Sequence, residues 1–468
     1  MHWRPWSEEA FRASAESGRP ILLFITVGWS RACSSMARTT FGDSKVSALA
    51  DRECIPVRVD ADLRPDVAER YALDGWPTTL LLTDDGEILQ GGTYFEPEPL
   101  AQLLQRTSAS YRAARAEISR RAGVARLDRE SHSGPAHAPG SPDPVEDIAA
   151  FLLGRSDPTL GGFAGAPKFL HADTAIFFLR CDAPETRAAA RLALDAADRA
   201  LCGPDGAMFR FALGEDWSSA VRELTAENQA AAIRAFAEGS VRLDRRYLGA
   251  LRRASDFARQ AWFEEAGRRS HMARRTPHLA HSPALQTDSG ADLAGACLAA
   301  ARVLDDPELG RASLALLERI ALETYLPGRG VRHFDDPSAP VLLADHVATV
   351  SALLDAHDAT GELPYSMLAE ELGRYLIAAF FDEERAAFRD RVHDAHDVGR
   401  LSEPAYPYRL NARAAQALGR LGAASSDPAL REMAGRVLTW TAAGWREHGL
   451  DAASCGIAAL DLIDWPNS

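Results

Sequence analysis

The sequence predicts an α/β domain followed by a larger all-α domain. Three observations carry this. Apolar strand-like runs alternate with helical patterns up to about residue 123, a polar stretch interrupts the chain over 124–145, and Ala-rich helical segments then recur in pairs. At 468 residues the chain exceeds the size at which a single core usually stops growing, so two domains are expected. We place them at 1–123 and 146–468, with 124–145 as linker.

In the first domain the pattern gives a helix over 8–16, an apolar strand over 21–27, a helix from Ala32 and a strand over 55–60. A helix over 65–73 and strands over 78–82 and 87–91 follow, and a last helix starts at Pro97. Asp85-Gly86 between the last two strands is a hairpin signal, because both residues tolerate positive φ. The stretch after Glu130 (Ser131-His132-Ser133-Gly134-Pro135) is too polar to bury apolar surface.

In the second domain the first helix of each pair starts near Asp173, Asn228, Ser289, Asp345 and Asn411, a spacing of roughly 55–65 residues. These first helices are rich in small residues, as an inner layer with neighbours on both sides requires; the second helices are more amphipathic. Three pairs are followed by acidic or Gly-rich loops ending in Phe209, Phe334 and Phe388. A sixth pair can be assembled from 146–153 and 452–463, which would close a ring of six hairpins, an (α/α)6 toroid; an open solenoid is the competing arrangement.

Composition narrows the function. A net charge of −14, with no basic run interleaved with aromatics, disfavours nucleic acid and anionic lipid as partners. No apolar run reaches membrane-spanning length and the opening residues lack a signal-peptide core, so a cytoplasmic protein away from the membrane is expected. The six cysteines show no paired spacing, which fits a reducing compartment. Neither a carboxylate–histidine cluster at ligand spacing nor a phosphate-binding Gly loop is visible, so no metal and no cofactor are expected.

With these residues in view, the chain resembles the spermatogenesis-associated thioredoxin-like family, in truncated form. The resemblance rests on Trp6-Ser7-Glu8-Glu9-Ala10-Phe11, Val59-Asp60, Arg64-Pro65-Asp66, Gly75-Trp76-Pro77 and Gly91-Gly92-Thr93-Tyr94-Phe95. In the helical half it rests on Gly161-Gly162-Phe163, Ala166-Pro167-Lys168-Phe169 and Asp345. It implies a thioredoxin-like fold followed by a six-hairpin, glycosidase-like toroid, with loose ties to redox and carbohydrate roles.

The chain departs from that family in two places. Where the family carries Cys-x-x-Cys, this chain reads Ser30-Arg31-Ala32-Cys33, and after Trp217 only Glu223 is kept among the charged positions of the family's toroid segment. Dithiol exchange needs an attacking and a resolving thiol, so loss of the first predicts loss of that activity. Ser30 is then expected to cap the following helix, and Cys33 to be a structural thiol. The resemblance puts Pro77, after Trp76, where such folds place a cis-proline, and with Trp29 these residues would frame a groove suited to a protein partner.

For the toroid the candidate polar residues are His171, Asp173, Glu223, Glu227, Asp288, Asp345, His346, Glu403 and Asn411, with Trp217, Phe334, Tyr406 and Tyr408 as sugar platforms. Glu223, Asp345 and Glu403 are the candidate catalytic acids of a glycosidase or epimerase, whose chemistry needs paired carboxyls. Capping of the inner helices by Asp173, Ser289, Asp345 and Asn411 is the competing explanation. The leading expectation is a protein without dithiol redox activity whose toroid binds a carbohydrate-like or other polar small molecule. A sugar-processing enzyme and a monothiol or chaperone-like protein acting through Cys33 are the alternatives.

Overall fold

The computed structural model describes residues 1–132, 144–263, 280–281 and 285–463. Contacts divide them into two compact units, the first comprising 1–132, 280–281 and 391–405, the second the remainder.

The first unit is a four-stranded sheet with helices on both faces. Its strands are β1 (Ile21–Thr26), β2 (Ile55–Asp60), β3 (Thr78–Leu82) and β4 (Ile88–Gly92), in the order β2-β1-β3-β4. β1 runs parallel to β2, and β3 is antiparallel to both β1 and β4, which is the thioredoxin-like arrangement. All six residues of β1 are buried, as a central strand covered on both faces requires. Alternation then sorts them. Ile21, Leu23 and Ile25 meet Phe11 of α1 (Glu8–Ser17) and Tyr71 of α4 (Pro65–Tyr71), whereas Leu22 and Phe24 meet Leu49 of α3 (Ser44–Glu53) and Leu104 of α5 (Pro97–His132).

The sequence pattern does not reveal α3. The single helix expected from Ala32 is two, α2 (Arg31–Thr39) and α3, and Asp43 caps the second by accepting from the backbone N–H of Lys45 and Val46. Helix α5 continues through His132, so the first residues assigned to the linker are helical; residues 133–143 lie outside the described residues. The segment Arg391–Ala405 belongs to this unit rather than to the helical one. Arg70 donates to the carbonyls of Arg400 (2.8 Å) and Glu403 (3.0 Å), the Arg400 N–H donates to Tyr71 Oη (2.9 Å), and Leu401 is buried in the apolar cluster under β1.

The second unit is the (α/α)6 ring. Its inner helices are α7 (Ala172–Arg180), α9 (Ala226–Arg242), α11 (Thr287–Leu304), α13 (Leu343–Thr360), α15 (Tyr408–Ala424) and α17 (Ala452–Ile463). Each touches the next, and α17 touches α7, so the ring is closed and the solenoid alternative falls. The outer helices are α8 (Pro184–Ala200), α10 (Tyr247–Ala258), α12 (Pro307–Thr324), α14 (Leu363–Phe380) and α16 (Pro428–Gly444), each packed on the inner helix before it. α6 (Pro144–Leu153) packs on α17 as the sixth pair. Small side chains such as Ala232, Ala296 and Ala414 are fully buried where inner helices meet, because crowding on both sides leaves no room for larger ones.

Candidate functional site

In the thioredoxin-like unit Ser30 is the N-cap of α2: its Oγ accepts from the Cys33 N–H at 3.4 Å, and the residue is buried. Cys33 is 1% exposed and sits in the core beneath β1, where a thiol serves as a small hydrophobe. The Trp76-Pro77 bond is cis. Trp29 and Trp76 meet edge to face at 6.5 Å, and Trp29 Nε1 donates to Asp62 Oδ1 at 3.1 Å.

In the ring, the starts of the inner helices share one rule. The fourth residue of α9, α13 and α15 is a polar side chain that reaches back to the loop before it. Gln229 Oε1 accepts from the Met208 N–H (2.9 Å), His346 Nε2 from the Val331 N–H (3.0 Å) and Asn411 Oδ1 from the Phe388 N–H (2.6 Å). These are the loops whose aromatic ends recur in the sequence. Gly330 is required in one of them: its φ is +77°, and a Cβ there would stand 2.0 Å from His346 Nε2. The second residue of α7, α9, α11 and α15 is charged instead: Asp173, Glu227, Asp288 and Arg409.

Three of those second residues converge on a cavity. A space of about 480 Å³ runs along the inner helices, and a recess of about 240 Å³ adjoins it where α7, α9 and α15 begin; both are lined by Asp173, Glu227, Ala231 and Arg409. The walls carry arginines answered by carboxylates. Arg409 bonds Asp173 (2.8 Å) and Glu227 (3.4 Å), Arg413 bonds Asp292, and Arg180 bonds Glu238 (3.0 Å) and Asp461 (2.9 Å). Arg234 (3.3 Å) and Arg420 (2.9 Å) share Asp355. The charge of Asp173 raises the Arg409 pKa, and Arg413 helps hold the Asp292 carboxyl below its ordinary range against burial.

Of the residues singled out in the sequence, Asp173, Glu227 and His171 reach these spaces. His171 lies in the recess, against Phe163 (5.0 Å) and Phe169 (6.0 Å), and burial pushes its imidazole down to about 4. The others stand elsewhere. Trp217 is buried, donating from Nε1 to the Leu160 carbonyl (3.0 Å) beside Lys168, so it props a loop rather than offering a platform. His346 and Asn411 are the buried loop anchors above. Tyr406 donates to Asp382 Oδ2 (2.7 Å), and Tyr408 is buried and stacked on His448 at 4.0 Å. His333, ahead of Phe334, meets that ring edge to face at 6.0 Å.

Each of the three candidate acids has surroundings of its own. Glu223 pairs with Arg210 (3.3 Å) and Asp345 is fully buried beside His333, while Glu403 lies in the segment that packs with the thioredoxin-like unit. None of them lines either space. The capping explanation also fails for the helix starts. The N-caps of α7, α9, α11, α13 and α15 are His171, Thr225, Gln286, Leu342 and Pro407, and of these Thr225 alone accepts a capping bond through its side chain.

Sequence reasoning missed the arginines and their partners within the helices. A signal was present: Arg409, Arg413 and Arg420 share one face of an Ala-rich helix, as do Glu227, Arg234 and Glu238 on another, and both stripes line the lumen. It also missed a meeting of Asp288, His333 and Asp345, whose ligand atoms lie within 4.8 Å of one another. Chain separation conceals that group, since no spacing rule joins two helix starts to a loop.

The family model Thioredox_DsbH, described as a protein of unknown function (DUF255), matches residues 1–127. Spermatogenesis-associated protein 20 of Homo sapiens is 31% identical over 190 residues, covering 36% of this chain and 24% of that protein. Both matches agree with the resemblance to the spermatogenesis-associated thioredoxin-like family over part of the chain. An uncharacterized protein of Caenorhabditis elegans is 27% identical over 203 residues, 40% of this chain and 27% of that one, so these matches span about a quarter of the relatives' length. Among solved structures, cellobiose 2-epimerase from Spirochaeta thermophila superposes with a TM-score of 0.52 at 16% identity, covering 63% of this chain and 83% of that one. D-mannose isomerase does so with a TM-score of 0.52 at 13% identity and the same coverage. At these identities the likeness is one of fold: a thioredoxin-like domain joined to a sugar-epimerase-like toroid. Among the described residues no helix is long and apolar enough to cross a membrane.

Proposed function

We propose that the toroid binds a neutral, polyhydroxylated small molecule of the carbohydrate class in its lumen, and that the thioredoxin-like unit lacks dithiol exchange and serves as a docking or structural module around Trp76 and Pro77. The observation that carries the first half is the pairing of the lumen arginines. Each guanidinium is already answered by a carboxylate, so the cavity presents alternating donors and acceptors rather than net positive charge. A sugar hydroxyl donates and accepts at once and can bridge such a pair, whereas an anion would meet a carboxylate at every arginine. The volume of about 480 Å³ falls within the range of small-molecule sites. That fold neighbours are named for cellobiose and mannose agrees with this class. Turnover by Glu223, Asp345 and Glu403 gains no support, since none of them borders the cavity.

Titration calorimetry against a panel of mono- and disaccharides is the test. At least one should bind, and Arg409→Met should weaken it about tenfold or more by removing the donor shared by cavity and recess. A protein that ignores the whole panel but binds inorganic phosphate would overturn the reading.

For the thioredoxin-like unit, insulin reduction with dithiothreitol should run at the uncatalysed rate, because Cys33 is buried and has no partner thiol at position 30. Ser30→Cys should form an internal disulfide with Cys33, read as the loss of two titratable thiols under oxidised glutathione. Insulin turnover should nevertheless stay low, because position 30 is only 2% exposed. Rapid insulin reduction by the unsubstituted protein would sink this half of the reading.

A further inference from the structure

Asp288, at the start of α11, and Asp345, at the start of the adjacent α13, converge with His333 from the loop preceding α13. None of the three lines the lumen or its recess, so a role for this group is independent of carbohydrate binding there. Asp345 is 0% exposed and His333 2%. Asp345 Oδ1 accepts from the Asp288 backbone N–H (3.1 Å) and lies 2.9 Å from His333 Nδ1. The other oxygen of that carboxylate, Oδ2, is shielded from solvent and has no hydrogen-bond partner among the described residues. One helical turn further along α13, Thr349 Oγ1 is likewise buried and unpartnered, on the same helix face.

Leaving a carboxylate oxygen buried without a partner costs more than an ordinary hydrogen bond returns, and such groups in folded proteins normally meet a donor or an ion. A second carboxylate within reach makes the local charge worse. One Asp288 oxygen accepts from the Ser289 N–H (2.6 Å), and the ligand atoms of the two carboxylates and the imidazole lie within 4.8 Å of one another. A dication would cancel both carboxylates and give Oδ2 the partner it lacks.

We propose that Asp288, His333 and Asp345 form a site for a divalent first-row transition-metal ion. Two carboxylates neutralise the charge, and one imidazole nitrogen favours such an ion over Mg²⁺ or Ca²⁺, which prefer oxygen alone. The ion would join the starts of two neighbouring inner helices to the loop between them. Its role is structural, because two of its three side chains are buried and the site opens on neither cavity.

The test uses the full chain with any affinity tag removed, stripped with chelator and titrated with Co²⁺, whose visible spectrum separates nitrogen and oxygen ligands from cysteine sulfur. One equivalent should bind with a nitrogen/oxygen spectrum, and the melting temperature should rise with added Co²⁺ and with Zn²⁺. Asp345→Asn should weaken binding about a hundredfold. Should that variant fail to fold, Asp288→Asn, at a half-buried position, should show the same loss with the fold intact by circular dichroism. No stoichiometric binding by the parent protein would overturn the proposal, as would a sulfur-ligand spectrum or binding unchanged in a folded variant.

Discussion

Replacing Lys168 by Met is expected to destabilise the toroid by about 3 kcal/mol, the low end of the cost of breaking a buried ion pair from one side. Lys168 is 2% exposed, and its ammonium uses all three donors: to Asp157 Oδ2 (2.8 Å), the Phe163 carbonyl (2.7 Å) and the Gly161 carbonyl (3.3 Å). Methionine keeps the length of the stem and supplies none of them, so two carbonyls and a carboxylate lose a partner at once. The low end applies because Asp157 retains some exposure and keeps the backbone N–H groups of Thr159 and Leu160.

Urea unfolding should show the loss as a lower midpoint at unchanged slope. Acid adds a second signature. The Leu160 N–H and then Lys168 hold the Asp157 carboxyl down at about 2, so the stabilisation is complete above the unfolded value of 3.8 and is lost as pH falls through 2. The gap between the two proteins should therefore narrow on acidification below pH 4. A midpoint shift equivalent to less than about 0.5 kcal/mol, the usual effect of a surface change, would show that Lys168 does not hold this loop.

The same residue shows what the sequence could and could not say. Gly161-Gly162-Phe163 and Ala166-Pro167-Lys168-Phe169 were visible as motifs, yet their purpose is a loop wrapped around one ammonium, which only the fold reveals. Ring closure was legible because each end of the helical half offers one unpaired helix, 146–153 and 452–463, and the two complete a sixth pair. The helix starts were read one to three residues late, at Asp173, Asn228, Ser289, Asp345 and Asn411 instead of Ala172, Ala226, Thr287, Leu343 and Tyr408. That small slip turned residues of the first turn into apparent caps. It also hid the common fourth position of Gln229, His346 and Asn411, leaving two of them to look like ligand-binding groups. The arginine–carboxylate lining stayed unread for a different reason: each pair joins residues from different helices, and nothing along the chain says which stripes face one another.

Asn411→Ala separates these roles most sharply. Asn411 is fully buried; its Oδ1 accepts from the Phe388 N–H (2.6 Å), and its Nδ2 donates to the carbonyls of Phe388 (3.0 Å) and Pro407 (3.0 Å). The Pro407 carbonyl keeps the Asn411 backbone N–H as a partner, so the substitution strands two groups, the Phe388 N–H and C=O. At about 1–3 kcal/mol for each buried group left unsatisfied, the expected loss is about 3 kcal/mol. Arg409, two residues earlier on the same helix, gives the contrast. Its guanidinium borders both the cavity and the recess, so Arg409→Met should cost ligand affinity with a smaller change in melting temperature, whereas Asn411→Ala should lower the melting temperature while the folded fraction binds normally. Lost binding with unchanged melting at Asn411 would return that residue to the ligand site and reject its role as a loop anchor.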